Sequence, residues 1–256
     1  MRKPRANTSE DKRILFGQAY ARFIDAEGVA TIALPHELDA GAILRSTPAR
    51  ESPNFPGQRN ITGYVFSGID GSLLWRESNV EAICVLEAEY SHRFVSLVSQ
   101  PFDYRYNDVT HSWHVPDFFG LDIDGTFSTF DVKERSAFTS DVRSAMARFA
   151  DAMEDIGIGH AMWHEPSLVR RHNLRRLSRV RLPGIVHEPT VQAADQLWNE
   201  GDTYGDLETK MNSAGCPSMF VRYAIEFLIW HRRFEVELEQ RLCLDTVLGP
   251  IGGSDD

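Results

Sequence analysis

The sequence is poor in cysteine and has no long apolar segment. Its 256 residues include no run of about eighteen apolar residues, the length that a membrane-spanning helix needs. The N-terminal segment MRKPRANTSEDKR has no apolar stretch behind its charges, so we expect neither a membrane protein nor a secreted one. The three cysteines are far apart and include no C-x-x-C pair, so they indicate neither a disulfide framework nor a zinc site. We therefore expect a cytoplasmic protein with reduced thiols.

The sequence also lacks an excess of positive charge. Its formal net charge is −10, which excludes a histone-like protein that contacts phosphate groups over its whole surface. Any contact with DNA must come from a local basic patch. One such patch is RRHNLRRLSRVR, residues 170–181, which contains six arginines and no acidic residue. The length and the hydrophobic content of 42% suffice for a buried core in one large or two small domains.

The stretch from Trp113 to Arg135, WHVPDFFGLDIDGTFSTFDVKER, carries the clearest functional signal. The apolar and aromatic residues around Asp117 are typical of a buried strand, and the proline before it marks a strand edge or start. After an Asp-Gly turn signal, the alternation from Phe127 onward predicts a strand on which Asp131 and Lys133 face the same side. We therefore predict two short strands that bring two aspartates and one lysine to one end of a sheet.

Two carboxylates beside one ammonium group are costly to bury unless another charge offsets them. A divalent cation with oxygen ligands is the usual means. A metal ion and a lysine together suggest hydrolysis of a phosphodiester bond. The alternative is that Asp117 only begins a turn and that Asp131 and Lys133 are a solvated pair on a strand. Such short patterns recur often, so the spacing does not decide between the two interpretations.

A glutamate near the start of the preceding helix also has two interpretations. Residues 78–90 are predicted to form a helix whose apolar residues cover most of its circumference. Ser78 and Glu81 have the S-x-x-E spacing of a capping box, in which the glutamate binds a backbone amide at the helix start. Alternatively, Glu81 is a third carboxylate directed at the same metal ion as Asp117 and Asp131. The helix sequence alone leaves both interpretations open.

Periodicity predicts a definite order of elements between residues 78 and 164. The order is helix, strand, strand, strand, helix, strand, over residues 78–90, 94–100, 112–119, 127–133, 140–156 and 160–164. This is the core order of the PD-(D/E)xK nuclease fold, with an acidic residue on the first helix, P-D on the second strand and D-x-K on the third. We therefore predict an α/β fold with a restriction-endonuclease-like PD-(D/E)xK core and a mixed sheet, followed by a small α-rich, winged-helix-like domain.

Four segments, in this order, resemble the nuclease domain of TnsA-type transposon endonucleases, especially those of actinobacteria. They are GQRNITG, RESNVEAICVLEAEYSHRFVSLVSQPF, HVPDFF and FDVKE. The resemblance covers roughly residues 55–165, under half of the chain. It implies a magnesium-dependent endonuclease, with Mn²⁺ as a substitute for Mg²⁺. Such an enzyme cuts double-stranded DNA at transposon ends beside a partner transposase and an ATPase regulator.

The resemblance also implies the site residues. The catalytic residues would be Glu81, Asp117, Asp131 and Lys133, of which the three acidic residues would bind the metal ion. The lysine would orient or help to deprotonate the attacking water and offset charge in the transition state. Gln100, in S-Q-P-F, belongs to the same pattern and is a candidate for lining the site. A register difference of one helical turn would put Glu77 in the place of Glu81.

The residues after Pro166 are predicted to begin with a basic helix. Five arginines of this helix are predicted to contact DNA phosphate groups: Arg170, Arg171, Arg175, Arg176 and Arg179. Three of them recur at i, i+4 and i+8 and therefore share one face of the helix. The alternative is a solvated linker helix that balances an acidic protein.

These observations divide the chain into four segments. They are an N-terminal extension (1–54), a nuclease domain (55–166), a basic linker helix (167–186) and a winged-helix-like domain (187–256). The last is predicted from three short helices followed by the alternation of residues 234–238, which is typical of a half-exposed strand. Because the glutamates of this strand would repel phosphate groups, we expect contact with a partner protein at least as much as with DNA.

Four histidines lie near the predicted site. His160 and His164 have an H-x-x-x-H spacing, but on a strand they would be about 13 Å apart, too far to share a metal ion. We interpret them as packing or substrate-contact residues. His111 and His114 flank Trp113 and are interpreted as hairpin residues.

Two other functions remain open from the sequence. One is a stand-alone nuclease of restriction, repair or phage defence with the same fold. The other is a non-catalytic DNA-binding or scaffold subunit whose nuclease core is vestigial. The presence of all four predicted catalytic side chains favours an active enzyme over a vestigial one. The sequence does not specify the oligomeric state.

Overall fold

The computed structural model describes residues 18–50, 61–108, 112–182 and 184–250. These residues form a mixed α/β structure with three sheets and seven helices, so the predicted α/β class is confirmed. The predicted GQRN motif and His111 lie outside the described residues. Over the same four ranges, no helix is long and apolar enough to cross a membrane. The chain divides into two compact units, Met1–Glu165 and Pro166–Asp256.

The first unit holds all ten strands that are found in the described residues. The strands are β1 (Tyr20–Ile24), β2 (Ala30–Ala33), β3 (Gly63–Phe66), β4 (Leu73–Arg76), β5 (Phe94–Ser99), β6 (Asp103–Arg105), β7 (Trp113–His114), β8 (Phe118–Asp122), β9 (Phe127–Val132) and β10 (Gly159–Trp163). Its helices are α1 (Ala40–Leu44), α2 (Asn79–Ser91) and α3 (Ser140–Glu154). The sheet orders are β2-β1-β6-β7, β10-β9-β8-β5 and β3-β4. The predicted N-terminal extension therefore supplies two strands that pair within this unit.

The second of these sheets positions the candidate site. Strand β9 is antiparallel to β8 and parallel to β10, and α3 makes the crossover between the two parallel strands. In chain order, the elements α2, β5, β8, β9, α3 and β10 follow the predicted sequence of helix, strand, strand, strand, helix, strand. The β6–β7 hairpin interrupts this order and joins a different sheet.

The two faces of this sheet are covered by different apolar clusters. Phe118 and Phe130 pack with Val85 of α2 on one face. Phe119 packs with Phe149 of α3 on the other face, because adjacent residues of a strand point to opposite sides. Each large apolar side chain that is fully buried contributes about 1.5–3 kcal/mol to stability. These clusters hold β8 and β9 between α2 and α3.

The predicted strand over residues 112–119 is wrong in part. Trp113 and His114 pair with β6 in one sheet, whereas the chain enters the other sheet only at Phe118. Pro116 explains the break, because proline has no N–H to donate to a strand ladder. As a result, Asp117 lies immediately before β8 rather than within a continuous strand.

The second unit is α-helical in its described residues, 166–182 and 184–250. Its helices are α4 (Leu168–Leu177), α5 (Glu188–Leu197), α6 (Tyr204–Ser213) and α7 (Ser218–Trp230). The basic helix is α4, and it is packed rather than solvated, because its buried Asn173 donates hydrogen bonds to the carbonyl groups of Leu238 and Gln240.

The strand predicted over residues 234–238 is wrong. Within this segment only Glu235 pairs, through a single bridge to Gly249. Phe234 and Leu238 are buried and the two glutamates between them are exposed, so the alternation did identify the buried side. Alternation does not supply a partner strand, however, and over residues 184–250 the structure has no strands that could form a wing beside the three helices.

Candidate active site

The four predicted catalytic residues line one cavity of about 550 Å³ in the first unit. Glu81 comes from the first turn of α2, Asp117 from the residue before β8, Asp131 from β9 and Lys133 from the residue after β9. They line the same cavity because α2 covers the sheet at the edge where β9 ends and β8 begins. The structure therefore brings together side chains that are up to 52 positions apart in the sequence, from Glu81 to Lys133.

Asp117 is a buried carboxylate at the centre of this cavity. Its Oδ2 atom accepts a hydrogen bond of 2.7 Å from the amide of Val132 and lies 3.8 Å from Nζ of Lys133. Burial raises the pKa of Asp117 to about 7, and the negative charges of Asp131 and Glu81 act in the same direction against the Lys133 ammonium group. One lysine does not compensate the three acidic groups, so the site is short of positive charge.

Asp131 is the most buried of the four residues, with 1% of its surface exposed. Its Oδ2 atom lies 2.8 Å from Nε2 of His114 and 3.7 Å from Nε2 of His160. Both imidazole rings pack edge-on against Phe149 of α3. Burial lowers the pKa of His160, while the neighbouring Asp131 carboxylate opposes this change. His114 therefore holds one oxygen of Asp131 by a hydrogen bond, whereas Nε2 of His160 faces the same oxygen without forming one.

The contact of His114 with Asp131 was not predicted. His114 does lie in a hairpin, as expected, but its ring enters the cavity while the neighbouring Trp113 remains largely exposed. The available signal was its position three residues before Asp117, on the strand that leads into the P-D turn. His160 is a packing residue, which was one of its two predicted roles. Its ring is also directed at Asp131.

Glu81 caps the start of α2, although its carboxylate binds the amide of Glu77 and not the amide of the cap residue Ser78. The hydroxyl group of Ser78 accepts a hydrogen bond from the Glu81 amide and donates one to Glu81 Oε1 at 2.7 Å. The second oxygen, Oε2, accepts a 2.7 Å hydrogen bond from the amide of Glu77. Burial raises the pKa of Glu81, and these hydrogen bonds lower it in part. Its carboxylate therefore lines the cavity and stabilises the start of α2 at the same time.

The register alternative is resolved by the partner of Glu77. Its carboxylate lies at the same cavity but forms an ion pair of 2.9 Å with Arg50. Glu81, in contrast, is close enough to raise the pKa of Asp117. The structure therefore places Glu81, and not Glu77, beside the P-D carboxylate.

The site fits a divalent cation only in part. In the part of the chain that the structure describes, no three His, Cys, Asp or Glu side chains are grouped so that they could hold a metal ion. Asp117 and Asp131 are oxygen donors of the kind that Mg²⁺ prefers, and their uncompensated charge fits a cation. Both carboxylate oxygens of Glu81 accept a hydrogen bond at the helix start, so each oxygen has only its remaining lone pair for a cation.

Gln100 does not line the cavity, but it contacts Asp117 through the backbone. Its amide donates a 2.9 Å hydrogen bond to the Asp117 carbonyl, and its own carbonyl accepts one from Ala49. Gln100 has φ of +46°, a conformation that is unusual for a residue with a side chain. Its buried side-chain amide has no hydrogen-bond partner among the described residues. Gln100 therefore supports the backbone of the P-D turn and does not line the cavity, so the prediction that it lines the site is corrected.

The five arginines that were predicted to bind DNA have different surroundings within the second unit. Arg179 lies beyond the end of α4, in a 3-10 turn over Ser178–Val180, so the predicted face of three arginines on one helix is corrected. Arg176 forms a 2.7 Å ion pair with buried Glu226 and a hydrogen bond with the Leu242 carbonyl. It stabilises the interior of the unit and is not available for DNA, so this part of the prediction is corrected. Arg175 and Arg179 are exposed, and Arg170 and Arg171 are half-buried.

Comparison with known proteins adds no assignment. No family model matches the chain, and no curated protein matches it.

Proposed function

We propose that the protein is a metal-dependent DNA endonuclease that hydrolyses phosphodiester bonds. The observation that carries the proposal is the shared cavity of Asp117, Asp131 and Lys133, in which acidic charge exceeds basic charge. A cation that binds there and contacts a phosphate group would relieve this imbalance. The order of elements and the position of each motif residue on them favour a PD-(D/E)xK core.

Each residue of the cavity has a distinct part in this proposal. Asp117 and Asp131 would hold Mg²⁺ or Mn²⁺, with Glu81 as the third predicted ligand. When bound, the ion supplies positive charge that offsets the buried carboxylates and polarises a phosphate oxygen. The Lys133 ammonium group, which is 36% exposed, would orient the attacking water and offset the charge that develops on the phosphate. His114 would keep Asp131 in its orientation.

The biological setting follows from the motif resemblance. We infer a TnsA-like enzyme that cuts double-stranded DNA at transposon ends together with a partner transposase and an ATPase regulator. The exposed Arg175 of α4 and the exposed Arg179 of the turn after it, with Arg171, support contact with DNA phosphate groups. A stand-alone nuclease would use the same residues, so the genes beside this one distinguish the two settings.

The test is Mg²⁺-dependent cleavage of plasmid and linear DNA by purified full-length protein. Asp117→Asn and Lys133→Ala should each lower the rate at least about hundredfold. Matched controls are Asp151→Asn, at an exposed position on α3, and Lys210→Ala, in the second unit, and both should cleave like the wild type.

A binding measurement distinguishes a protein without a functional metal site from one that binds the metal ion but needs a partner for cleavage. Calorimetry with Mg²⁺ should show binding to the wild type and none to Asp117→Asn. Cleavage by Asp117→Asn at the wild-type rate would reject the assignment. A wild-type protein that binds DNA but neither binds Mg²⁺ nor cleaves would be the non-catalytic subunit instead.

A further inference from the structure

An exposed tryptophan lies at the rim of the acidic cavity. Trp113 lines the cavity and leaves 47% of its surface exposed. Two guanidinium groups lie over its ring, that of Arg105 at 5.0 Å and that of Arg50 at 5.7 Å from the ring centroid. The rim therefore presents one large aromatic face and two cations beside a group of carboxylates. We refer to these three residues as the aromatic rim.

The strand pairing explains why this rim is next to the site. Trp113 is the direct cross-strand partner of Arg105 in the β6–β7 hairpin, so their side chains share one face. The next residue along the strand, His114, contacts Asp131 at 2.8 Å. Because consecutive Cα atoms are about 3.8 Å apart, the residue that carries the indole is directly next to the histidine that holds Asp131, a proposed catalytic residue.

Packing alone does not account for the exposure of this ring. On the partner strand Tyr104 is 4% exposed, whereas Trp113 leaves nearly half of its surface in solvent. Each arginine has an acidic neighbour, Arg50 with Glu77 at 2.9 Å and Arg105 with Asp103 at 2.6 Å, and both ion pairs use Nη2 of the guanidinium group. Both arginine side chains remain at least one-third exposed.

A nucleotide matches this combination of groups. A base has a flat face that stacks on an indole whatever its sequence, and the flanking guanidinium groups suit the phosphates on either side. The carboxylates of the cavity repel phosphate groups, so cations at the rim are needed to bring a strand close to them. In a continuous duplex, however, each base face is already covered by its neighbours, and the indole has no face to contact.

We propose that the aromatic rim binds an unpaired nucleotide next to the cleaved phosphate, so that the substrate is DNA with an unpaired strand at the cleavage position. Frayed ends and strand junctions belong to this class, and an uninterrupted duplex does not. The inference rests on the proposed nuclease function, because it uses the cavity as the place of cleavage. Trp113 would determine the choice of substrate, and Asp117 and Lys133 would still perform the chemistry.

The test uses two DNA duplexes that differ only at one 2-aminopurine, which is paired in one and unpaired in the other. Full-length protein is added in EDTA, so that binding is measured without cleavage. The wild type should quench the unpaired 2-aminopurine strongly and bind this DNA more tightly than the paired one. Trp113→Ala should lose the quenching and bind the unpaired DNA roughly five- to hundredfold more weakly, with less than about a twofold change for the paired DNA.

Two further variants keep the test decisive. Trp113→Phe retains a ring and the fold of the hairpin, and it should keep part of the preference if stacking is the cause. Tyr64→Ala removes an equally exposed ring, 52% exposed, that does not line the cavity, and it should behave like the wild type. Equal binding of both DNAs by the wild type and by both Trp113 variants would overturn the inference.

Cleavage in Mg²⁺ separates this inference from the function on which it rests. Wild-type cleavage that does not distinguish the two DNAs would overturn the role of the aromatic rim and leave the nuclease proposal standing. Trp113-dependent quenching without any cleavage or Mg²⁺ binding would overturn the nuclease proposal itself.

Discussion

Replacing Asp117 with asparagine should stabilise the metal-free protein above neutral pH. Burial raises the pKa of Asp117 from its ordinary value of 3.8 to about 7, and nearby acidic groups contribute. Between these two values the folded protein keeps the carboxyl group protonated while the unfolded chain ionises it. The folded state therefore binds more protons, and stability falls as the pH rises through this window. Asparagine removes the charge and keeps an acceptor for the Val132 amide.

The size of the effect follows from the same pKa. A rise from 3.8 to about 7 corresponds to about 4 kcal/mol at about 1.4 kcal/mol per pKa unit. This value is an upper limit, because water and side-chain rearrangement reduce the cost of a buried charge. Asp117→Asn should therefore exceed the wild type by up to about 4 kcal/mol in free energy of unfolding at pH 8, and by less than about 1 kcal/mol at pH 4.

Urea unfolding in EDTA, at a series of pH values from 4 to 8, measures this difference. Asp151→Asn, which removes an exposed carboxylate, should follow the wild type at every pH. Added Mg²⁺ at pH 8 should raise the midpoint of the wild type but not that of Asp117→Asn, because a ligand stabilises only the state that binds it. A difference between Asp117→Asn and the wild type that stays constant from pH 4 to pH 8 would refute the reasoning.

Substitutions at three other residues, with one matched control, test separate parts of the structure. Glu81→Gln should have the free energy of unfolding of the wild type, whereas Glu81→Ala should lose about 1 kcal/mol, because only alanine removes the contact at the helix start. Both variants should lose Mg²⁺-dependent cleavage. Full activity of either variant would exclude Glu81 from the site. His114→Ala should raise the Mg²⁺ concentration for half-maximal cleavage about 10- to 100-fold, whereas an unchanged titration would show that Asp131 needs no support. Arg176→Ala should destabilise the second unit by about 3–5 kcal/mol in thermal or urea unfolding, because Glu226 would lose its buried partner. Arg175→Ala is the matched exposed change: it should leave stability unchanged and lower the dependence of DNA affinity on salt by about one charge, and the reverse pattern for the two arginines would contradict the assignment.

Local periodicity predicted most elements of the first unit from residue 78 onward. The helix predicted at 78–90 is α2, the strand at 127–133 is β9, and the helix and strand that follow are α3 and β10. These elements depend on spacing within one segment, which the sequence contains. The strand at 112–119 was wrong because its membership of a sheet depends on β6, a partner that periodicity does not identify. The strand at 234–238 was wrong for the same reason, since the described residues of the second unit contain no strand to pair with it.

The site was predictable as a set of residues and less so as a set of contacts. Glu81, Asp117, Asp131 and Lys133 line one cavity, as their motif order indicated. The contact between His114 and Asp131 joins two different sheets, and a single sequence does not show which sheets approach each other. Likewise, helical spacing grouped the arginines by face, but the direction of Arg176 is set by Glu226, which lies on α7.

Because α3 connects the parallel strands β9 and β10, the candidate site can form only after the whole first unit has been synthesised. The amide of Lys133 donates a 3.0 Å hydrogen bond to the carbonyl of Trp163, the last residue of β10. A nascent chain that has left the ribosome only as far as α3 lacks this neighbour, and β9 is then an unpaired sheet edge. The proposed hydrolysis should therefore begin only after β10 has been synthesised and paired with β9.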